Sequence, residues 1–196
     1  MSLTVKDLTK RYGDRTVVDR LSFGMPGPGV YALLGTNGAG KTTLMKILAG
    51  YQKPDSGRVL LDGKALPKRG YCPVQMIWQH PERAMNPRLT LGESLKEADN
   101  IDRQLEIGLG IEPDWKTRYP QELSGGELQR FCIARALGQR TRYLIADEIS
   151  TMLDLITQGQ IWNFLMEETA RRQIGMLVVS HSKDLLDYIC TRQIRL

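Results

Sequence analysis

The chain has 196 residues, of which 41% are hydrophobic, and a formal net charge of +5 at pH 7. It is long enough to bury a core of its own, and its three cysteines, odd in number and without a Cys-x-x-Cys pair, argue against a disulfide framework or a cysteine zinc site. No apolar run approaches the roughly 18 residues that span a bilayer, the N-terminus lacks the apolar core of a signal peptide, and the basic residues are too dispersed to indicate a nucleic-acid face.

The first part of the chain is rich in strand patterns. The segments "LTVKDLTK" and "TVVDRLSF" are predicted strands on either side of the turn "RYGDR", and "VYALLG" is a short apolar strand that ends in a glycine loop. The segment "KTTLMKILAG" is a predicted helix with Gly50 just past its end, where a C-terminal glycine belongs. Two further strands are predicted at "GRVLLDG" and "VQMIWQ".

The pattern changes between His80 and Gln121, where prolines separate short helical stretches. "TLGE", at Thr90 to Glu93, is a capping-box candidate for one of these helices. After it come a helix from "LSGGE" to about residue 137, the strand "YLIAD", a long helix over about 153–171, the strand "GMLVVS" and the helix "SKDLLDYI".

Alternating strands and helices predict an α/β fold with a mostly parallel sheet covered by helices. We predict a single domain over residues 1–196. Its core comprises residues 1–79 and 142–196, and residues 80–141 form an inserted helical subdomain.

The segment "GTNGAGKTT" matches the phosphate-loop pattern G-x-x-x-x-G-K-[ST] and lies between a predicted strand and a predicted helix, as that pattern requires. Its glycines let the backbone curl so that N–H groups point at phosphate oxygens, and the helix N-terminus adds its positive end. Lys41 would reach the β- and γ-phosphates, and Thr42 would offer its hydroxyl to Mg²⁺. The predicted nucleotide-binding residues here are Gly35, Thr36, Asn37, Gly38, Ala39, Gly40, Lys41, Thr42 and Thr43.

The segment "YLIADE" places two acids at the carboxyl end of an apolar strand, the edge where open α/β sheets bind ligands. We expect Asp147 to hold Mg²⁺ and Glu148 to polarise the water that attacks the nucleotide.

The segment "LSGGELQR" combines a helix start with two residues that disfavour a helix. Ser124 and Glu127 form a capping-box pattern, yet Gly125 and Gly126 each disfavour a helix by about 1 kcal/mol relative to alanine in an interior position. A helix that only had to pack would not need them, so this start is predicted to bind something closely.

These three motifs, in this order, resemble those of ATP-binding cassette (ABC) ATPases, and the resemblance covers essentially the whole chain. It implies a RecA-like P-loop NTPase core with N-terminal antiparallel strands and an inserted α-helical subdomain. It also implies ATP and Mg²⁺ as cofactors, and a second cassette, identical or homologous, that sandwiches two ATP molecules with the first. The residues that would bind the ATP held by the other subunit are Ser124, Gly125, Gly126 and Glu127.

Further positions match the family singly. Tyr12 resembles the aromatic residue that stacks on adenine, and Gln79 resembles the Q-loop glutamine that reaches Mg²⁺ and the attacking water. Asp154 resembles the D-loop aspartate at the subunit interface, and His181 resembles the switch histidine on the γ-phosphate. The chain departs from the family at Ile149, where proline is common, and in the D-loop, where residues 151–153 read Thr-Met-Leu; neither departure removes a reactive group.

The segments "WQHPERAMNPRLTLGESL" and "DEISTMLDLITQGQIW" resemble importers of peptides, nickel or metallophore complexes. The resemblance implies transmembrane permease subunits as partners, with no direct contact to cargo or nucleic acid, and a cytoplasmic place on the inner face of the membrane. In the family a groove near residues 79–90 receives a short permease helix; its apolar surface candidates here are Met76, Ile77, Trp78 and Met85. The alternatives are a soluble cassette in nucleic-acid or ribosome-associated work, and a P-loop nucleotide kinase, which "LSGGE" opposes.

Overall fold

The computed structural model describes residues 1–151 and 153–196. Within those residues the chain forms two sheets and six α-helices. The strands are β1 (Leu3–Tyr12), β2 (Arg15–Met25), β3 (Gly29–Leu34), β4 (Ser56–Leu61), β5 (Lys64–Ala65), β6 (Val74–Ile77), β7 (Tyr143–Asp147), β8 (Gly175–Val179) and β9 (Arg192–Arg195). The helices are α1 (Lys41–Leu48), α2 (Leu91–Lys96), α3 (Arg103–Gly108), α4 (Gly125–Ala136), α5 (Leu155–Arg172) and α6 (Lys183–Ile189).

The larger sheet has five strands in the order β6-β7-β8-β3-β9, and every neighbouring pair is parallel. Strands β7 and β8 are buried along their whole length, as expected for parallel strands that are covered on both faces. The carboxyl ends of β3, β6, β7 and β8 therefore meet along one edge. The predicted parallel sheet is confirmed.

The smaller sheet is antiparallel, in the order β2-β1-β4-β5. One apolar cluster joins this sheet to the parallel sheet and includes four side chains of α1. A second apolar cluster contains the other strand positions of the parallel sheet together with residues of α2 to α6. Helix α1, which follows the phosphate loop, is thus fixed between the two sheets.

Residues 80–141 contain short helices that prolines delimit. Three 3₁₀ helices, Pro81–Arg83, Pro113–Thr117 and Pro120–Glu122, each begin with proline, whose fixed φ suits the first helical position. The predicted capping box of α2 is present, because Glu93 N donates to Thr90 Oγ1 at 3.3 Å and Thr90 N donates to Glu93 Oε2 at 2.8 Å. The subdomain limits at 80 and 141 stay predictions.

Three details differ from the sequence prediction. Strands β5 and β9 are additional; β5 has two residues and β9 is mostly exposed, so neither carries an apolar signal. Helix α5 begins at Leu155, two residues later than predicted, because Asp154 is its N-cap.

Among the described residues, no helix combines the length and the hydropathy that crossing a membrane requires.

Candidate functional site

Four strand ends bring the predicted reactive groups to one edge of the parallel sheet. The phosphate loop follows β3, and Gln79 follows β6. Asp147 ends β7 and Glu148 comes directly after it, and His181 follows β8. This is the edge at which ligands of open α/β sheets bind.

The phosphate loop leads directly into α1. Gly40, the N-cap of α1, has a left-handed backbone with φ 92°, and a Cβ there would lie 2.5 Å from the carbonyl oxygen of Val17. Gly38 has φ 78°. Gly35 has no such φ; a Cβ there would come within 3.3 Å of the Ala39 Cβ, so close packing and not left-handed curling requires this glycine, which corrects the sequence prediction.

The start of α1 is suited to an anion. No side chain caps it and its first turn contains no acid, so its first N–H groups and its positive end face the loop. Lys41 Nζ donates to the carbonyl oxygens of Gly35 at 2.7 Å and Thr36 at 3.0 Å. These bonds hold the ammonium group across the loop, where it retains one further N–H donor.

Asp147 is 6% exposed. Burial and then the neighbouring charge of Glu148 raise its pKa to about 6, which the nearby Thr42 hydroxyl, Lys46 and Lys41 partly oppose. A hydroxyl and a carboxylate side by side are oxygen ligands of the kind Mg²⁺ takes. The described residues contain no group of three or more His, Cys, Asp or Glu side chains that could hold a metal ion unaided.

Glu148 is shared between two neighbours. Gln79 Nε2 donates to Oε2 at 2.9 Å, and His181 Nε2 lies 2.9 Å from Oε1. Its backbone has φ 50°, an uncommon conformation for a residue other than glycine, and its N–H donates to Val179 O at 3.0 Å. The structure thus brings the predicted base, Q-loop glutamine and switch histidine into one contacting group.

A cavity of about 350 Å³ opens beside the loop and is lined in part by Tyr12, Thr43 and Glu148. Tyr12 is 51% exposed and its hydroxyl accepts a hydrogen bond from Gln52 Nε2 at 2.5 Å, a bond that lowers the pKa of the phenol. Arg15 lines the same cavity, with its guanidinium 3.5 Å from Gly38 O. Sequence reasoning missed Arg15 because it treated the basic residues as a dispersed surface, and no local pattern indicates that β2 brings this side chain to the phosphate loop.

The start of α4 has the predicted capping box: Ser124 N donates to Glu127 Oε2 at 2.7 Å, and Glu127 N donates to Ser124 Oγ at 3.3 Å. The Glu127 carboxylate therefore fixes the helix start. Neither Gly125 nor Gly126 has a left-handed backbone, and a Cβ on Gly125 would meet no atom of the described residues within 4 Å. The described residues thus give no steric reason for a glycine at 125.

The predicted D-loop precedes α5. Asp154 Oδ1 accepts from the N–H groups of Ile156 and Thr157, both at 3.0 Å, which lowers the pKa of the carboxyl. Asp154 is thus a helix N-cap, and the two residues after it, Leu155 and Ile156, are largely exposed. Met152 lies outside the described residues.

A second cavity, of about 610 Å³, lies on the side of the Q-loop. Trp78 lines it together with Tyr51 from the chain after α1. Met76 also lines it, but Met76, Ile77 and Met85 are 4%, 0% and 4% exposed and belong to the apolar core, so the prediction that these three supply apolar surface there is wrong. The role of Trp78 stays a prediction.

Comparison with known proteins agrees with this geometry. The profile of a protein family described as "ABC transporter" matches residues 18–151. A putative peptide import ATP-binding protein of Brucella ovis is 33% identical over 98% of this chain and 68% of the relative. The nickel import ATP-binding protein NikE of Rhodospirillum rubrum is 34% identical over 95% of this chain and 74% of the relative.

Two solved structures share the fold. One, an ATP-binding subunit of an ABC transporter, has a TM-score of 0.85 and 24% identity, and the match covers 100% of this chain and 86% of that one. The other, a dimeric post-hydrolysis state of the ATP-binding cassette MJ0796 bound to ADP and Pi, has a TM-score of 0.82 and 22% identity, covering 99% and 94%. At these identities the likeness establishes the fold.

Proposed function

The chain belongs to the ABC transporter family, as an ATP-binding subunit with ATPase activity, and we propose that it powers an importer of peptides, nickel or metallophore complexes. The observation that carries the proposal is the convergence of the phosphate loop with Gln79, Asp147, Glu148 and His181 at one sheet edge.

The proposed ATP site uses the loop, the start of α1 and the cavity beside them. Backbone N–H groups and Lys41 bind the phosphates, while Tyr12 stacks on the adenine. Thr42, Asp147 and Gln79 hold Mg²⁺, which would neutralise phosphate charge when bound. The proximity of Thr42 to Asp147, close enough for the hydroxyl to lower the pKa of the carboxyl, supports this assignment.

For hydrolysis, Glu148 accepts the proton of the attacking water and His181 binds the γ-phosphate. Gln79 and His181 both contact the Glu148 carboxylate, and each has a second proposed partner, Mg²⁺ for the amide and the γ-phosphate for the imidazole. The amide of Gln79 can bind Mg²⁺ through Oε1 while its Nε2 still donates to Glu148, whereas an imidazole that turns to the γ-phosphate would leave Glu148 Oε1 free for the water.

Assembly with a second cassette completes the site. Ser124, Gly125 and the N–H groups at the start of α4 are proposed to bind the γ-phosphate of ATP held by the partner cassette. The open space around Gly125 supports this, since the helix keeps a glycine there without an internal steric cause.

The proposed partners also include permease subunits, which would hold the chain at the inner face of the membrane. The 610 Å³ cavity beside the Q-loop is the proposed seat of a permease helix, because it is lined by Trp78, the residue before Gln79. The chain itself is proposed to touch neither cargo nor nucleic acid.

Affinity purification of the chain from its native cells, with identification of what copurifies, tests the importer proposal. Permease subunits and a cargo-binding protein are the expected partners, with Mg²⁺-dependent ATP hydrolysis by the purified complex. Copurification of ribosomes or nucleic acid without a permease would favour a soluble cassette instead.

A further inference from the structure

One face of α4 contacts the backbone of the segment that leaves the Q-loop. Three side chains of α4 are spaced by three residues, so each is the surface neighbour of the next along the helix. Their contacts are with carbonyl oxygens that are also spaced by three. The pairs are Gln129 Nε2 with Trp78 O, Cys132 Sγ with Pro81 O, and Arg135 Nη1 with Ala84 O.

The three contacts differ in strength. Arg135 Nη1 lies 2.8 Å from Ala84 O and 3.0 Å from Met85 Sδ, so it makes a charge-assisted bond of ordinary length. The Gln129 contact is long, at 3.4 Å, and the thiol contact of Cys132, at 3.7 Å, is weak. Arg135 therefore carries most of the attachment between α4 and this segment.

Gln129 indicates that the contact between α4 and residues 78–85 does more than fill space in the core. Its side chain is 2% exposed, and its Oε1 has no hydrogen-bond partner among the described residues. A buried amide that is only half satisfied is unfavourable compared with an apolar residue of similar size. Its contact with the Trp78 carbonyl links α4 to the residue that directly precedes Gln79.

We infer that Arg135, assisted by Gln129 and Cys132, is a positioning residue that makes residues 78–85 and helix α4 move as one body. This inference rests on the proposed function and deepens it. Gln79, at one end of the body, contacts Glu148 in the ATP site of its own chain. Ser124, at the start of α4, is the residue proposed to bind the ATP held by the partner cassette. Binding of ATP in one site would thus reorient the helix start that serves the other.

A purely structural Arg135 would stabilise the chain without transmitting anything, and Arg130 provides the matched control. Arg130 lies on the same helix and also donates to a backbone carbonyl, that of Leu109; among the described residues its hydrogen bonds go to Leu109 and Gln160, not to residues 78–85. Replacing either arginine by methionine keeps most of the aliphatic stem and removes the donors.

The test is amide hydrogen exchange, with and without Mg-ATP, on the Glu148→Gln chain at a concentration at which sizing shows a monomer. In this parent and in Arg130→Met, ATP should change exchange over both residues 35–43 and residues 124–130. In Arg135→Met the change over 35–43 should persist, while the change over 124–130 should fall about tenfold, and Arg135→Lys should restore much of it.

The inference would be overturned if ATP changed the exchange of residues 124–130 equally in Arg135→Met and Arg130→Met. It would also be overturned if ATP changed exchange in the Glu148→Gln chain only over residues 35–43. A parent without any response over 35–43 would instead refute the proposed ATP site. If Arg135→Met does not unfold cooperatively, Gln129→Met takes its place: a reduced response over 124–130 supports the inference, and an unchanged one overturns it.

Discussion

At the scale of single residues, Glu148 combines a left-handed backbone with a carboxylate that Gln79 and His181 both contact. Glu148→Gln should keep ATP binding but slow turnover by roughly 10²–10⁴-fold, because an amide cannot accept the proton of the attacking water. Lys41→Ala is the contrasting change: it removes a charge from the phosphates and should weaken binding itself. Steady-state hydrolysis of the assembled complex and ATP titration of the chain separate the two effects. Near-normal turnover by Glu148→Gln would show that another group is the base.

Arg15 offers a second test at this scale. Its guanidinium lines the 350 Å³ cavity beside Gly38, so it can meet the ribose or a phosphate of a bound nucleotide. Because the side chain is exposed, we expect Arg15→Ala to weaken ATP binding by only about 3–10-fold. Isothermal titration measures the affinity for ATP. Lys64→Ala is the control, because it also removes one positive charge, but from strand β5. Equal affinities of the two variants would place Arg15 outside the site.

The difference between Arg15 and Lys41 shows how far sequence reasoning reaches for single residues. Lys41 lies in a pattern whose chemistry fixes each position, so it could be predicted from the letters alone. The contact between Arg15 and Gly38 depends on how β2 passes the phosphate loop, which no local pattern encodes. The burial of Met85 likewise depends on neighbours that only folding provides. The N-cap role of Asp154 is different, because it uses N–H groups two and three residues along and was open to local sequence reasoning.

At the scale of elements, substitutions at the start of α4 allow effects on folding and effects on binding to be measured separately. Gly125→Ala places a methyl group in open space, so the isolated chain should keep its stability or gain up to about 1 kcal/mol from better helix propensity. The same methyl group should obstruct the phosphate of a partner cassette and lower turnover of the assembled complex. Thermal unfolding of the chain and hydrolysis by the complex measure the two effects.

Gly126→Ala provides the comparison for this prediction. A Cβ at this position would lie 3.3 Å from Leu153 Cδ2, so that side chain must move by a few tenths of an ångström and Gly126→Ala should be less stable than Gly125→Ala. If Gly125→Ala is as unstable as Gly126→Ala or more so, the glycine at 125 serves folding and the argument for an external ligand fails.

Elements with strong local signals were predictable, and those without were not. The apolar runs of β3, β7 and β8 and the capping boxes of α2 and α4 appear where the sequence indicated. Strand β9 is defined by its pairing with β3, at Tyr31 with Arg192 and onward, between residues far apart in sequence. Its own letters, "RQIR", contain too little apolar periodicity to indicate a strand.

At the scale of the whole molecule, the two apolar clusters lie on opposite faces of the parallel sheet and leave its carboxyl edge to the phosphate loop and the acid pair. The order β6-β7-β8-β3-β9 is not the order of the chain, so the sequence predicts a parallel sheet but not which strands are neighbours. That order places Glu148 between Gln79 and His181, because β7 lies between β6 and β8.

An ATP site that needs the start of α4 from another cassette predicts an assembly that depends on nucleotide. The chain should be mainly monomeric alone, and Glu148→Gln with Mg-ATP should shift it toward a dimer if it pairs with itself, because slowed turnover preserves the ATP that bridges the two subunits. Sizing chromatography with and without Mg-ATP measures this, and Lys41→Ala in the same background should not shift. An equal dimer population in both conditions would contradict closure by nucleotide. If no dimer forms although ATP binds, self-pairing is wrong and the second cassette is an unlike chain. The phosphate loop and the helix start are both present in this chain, but the two that meet at one ATP must come from different subunits.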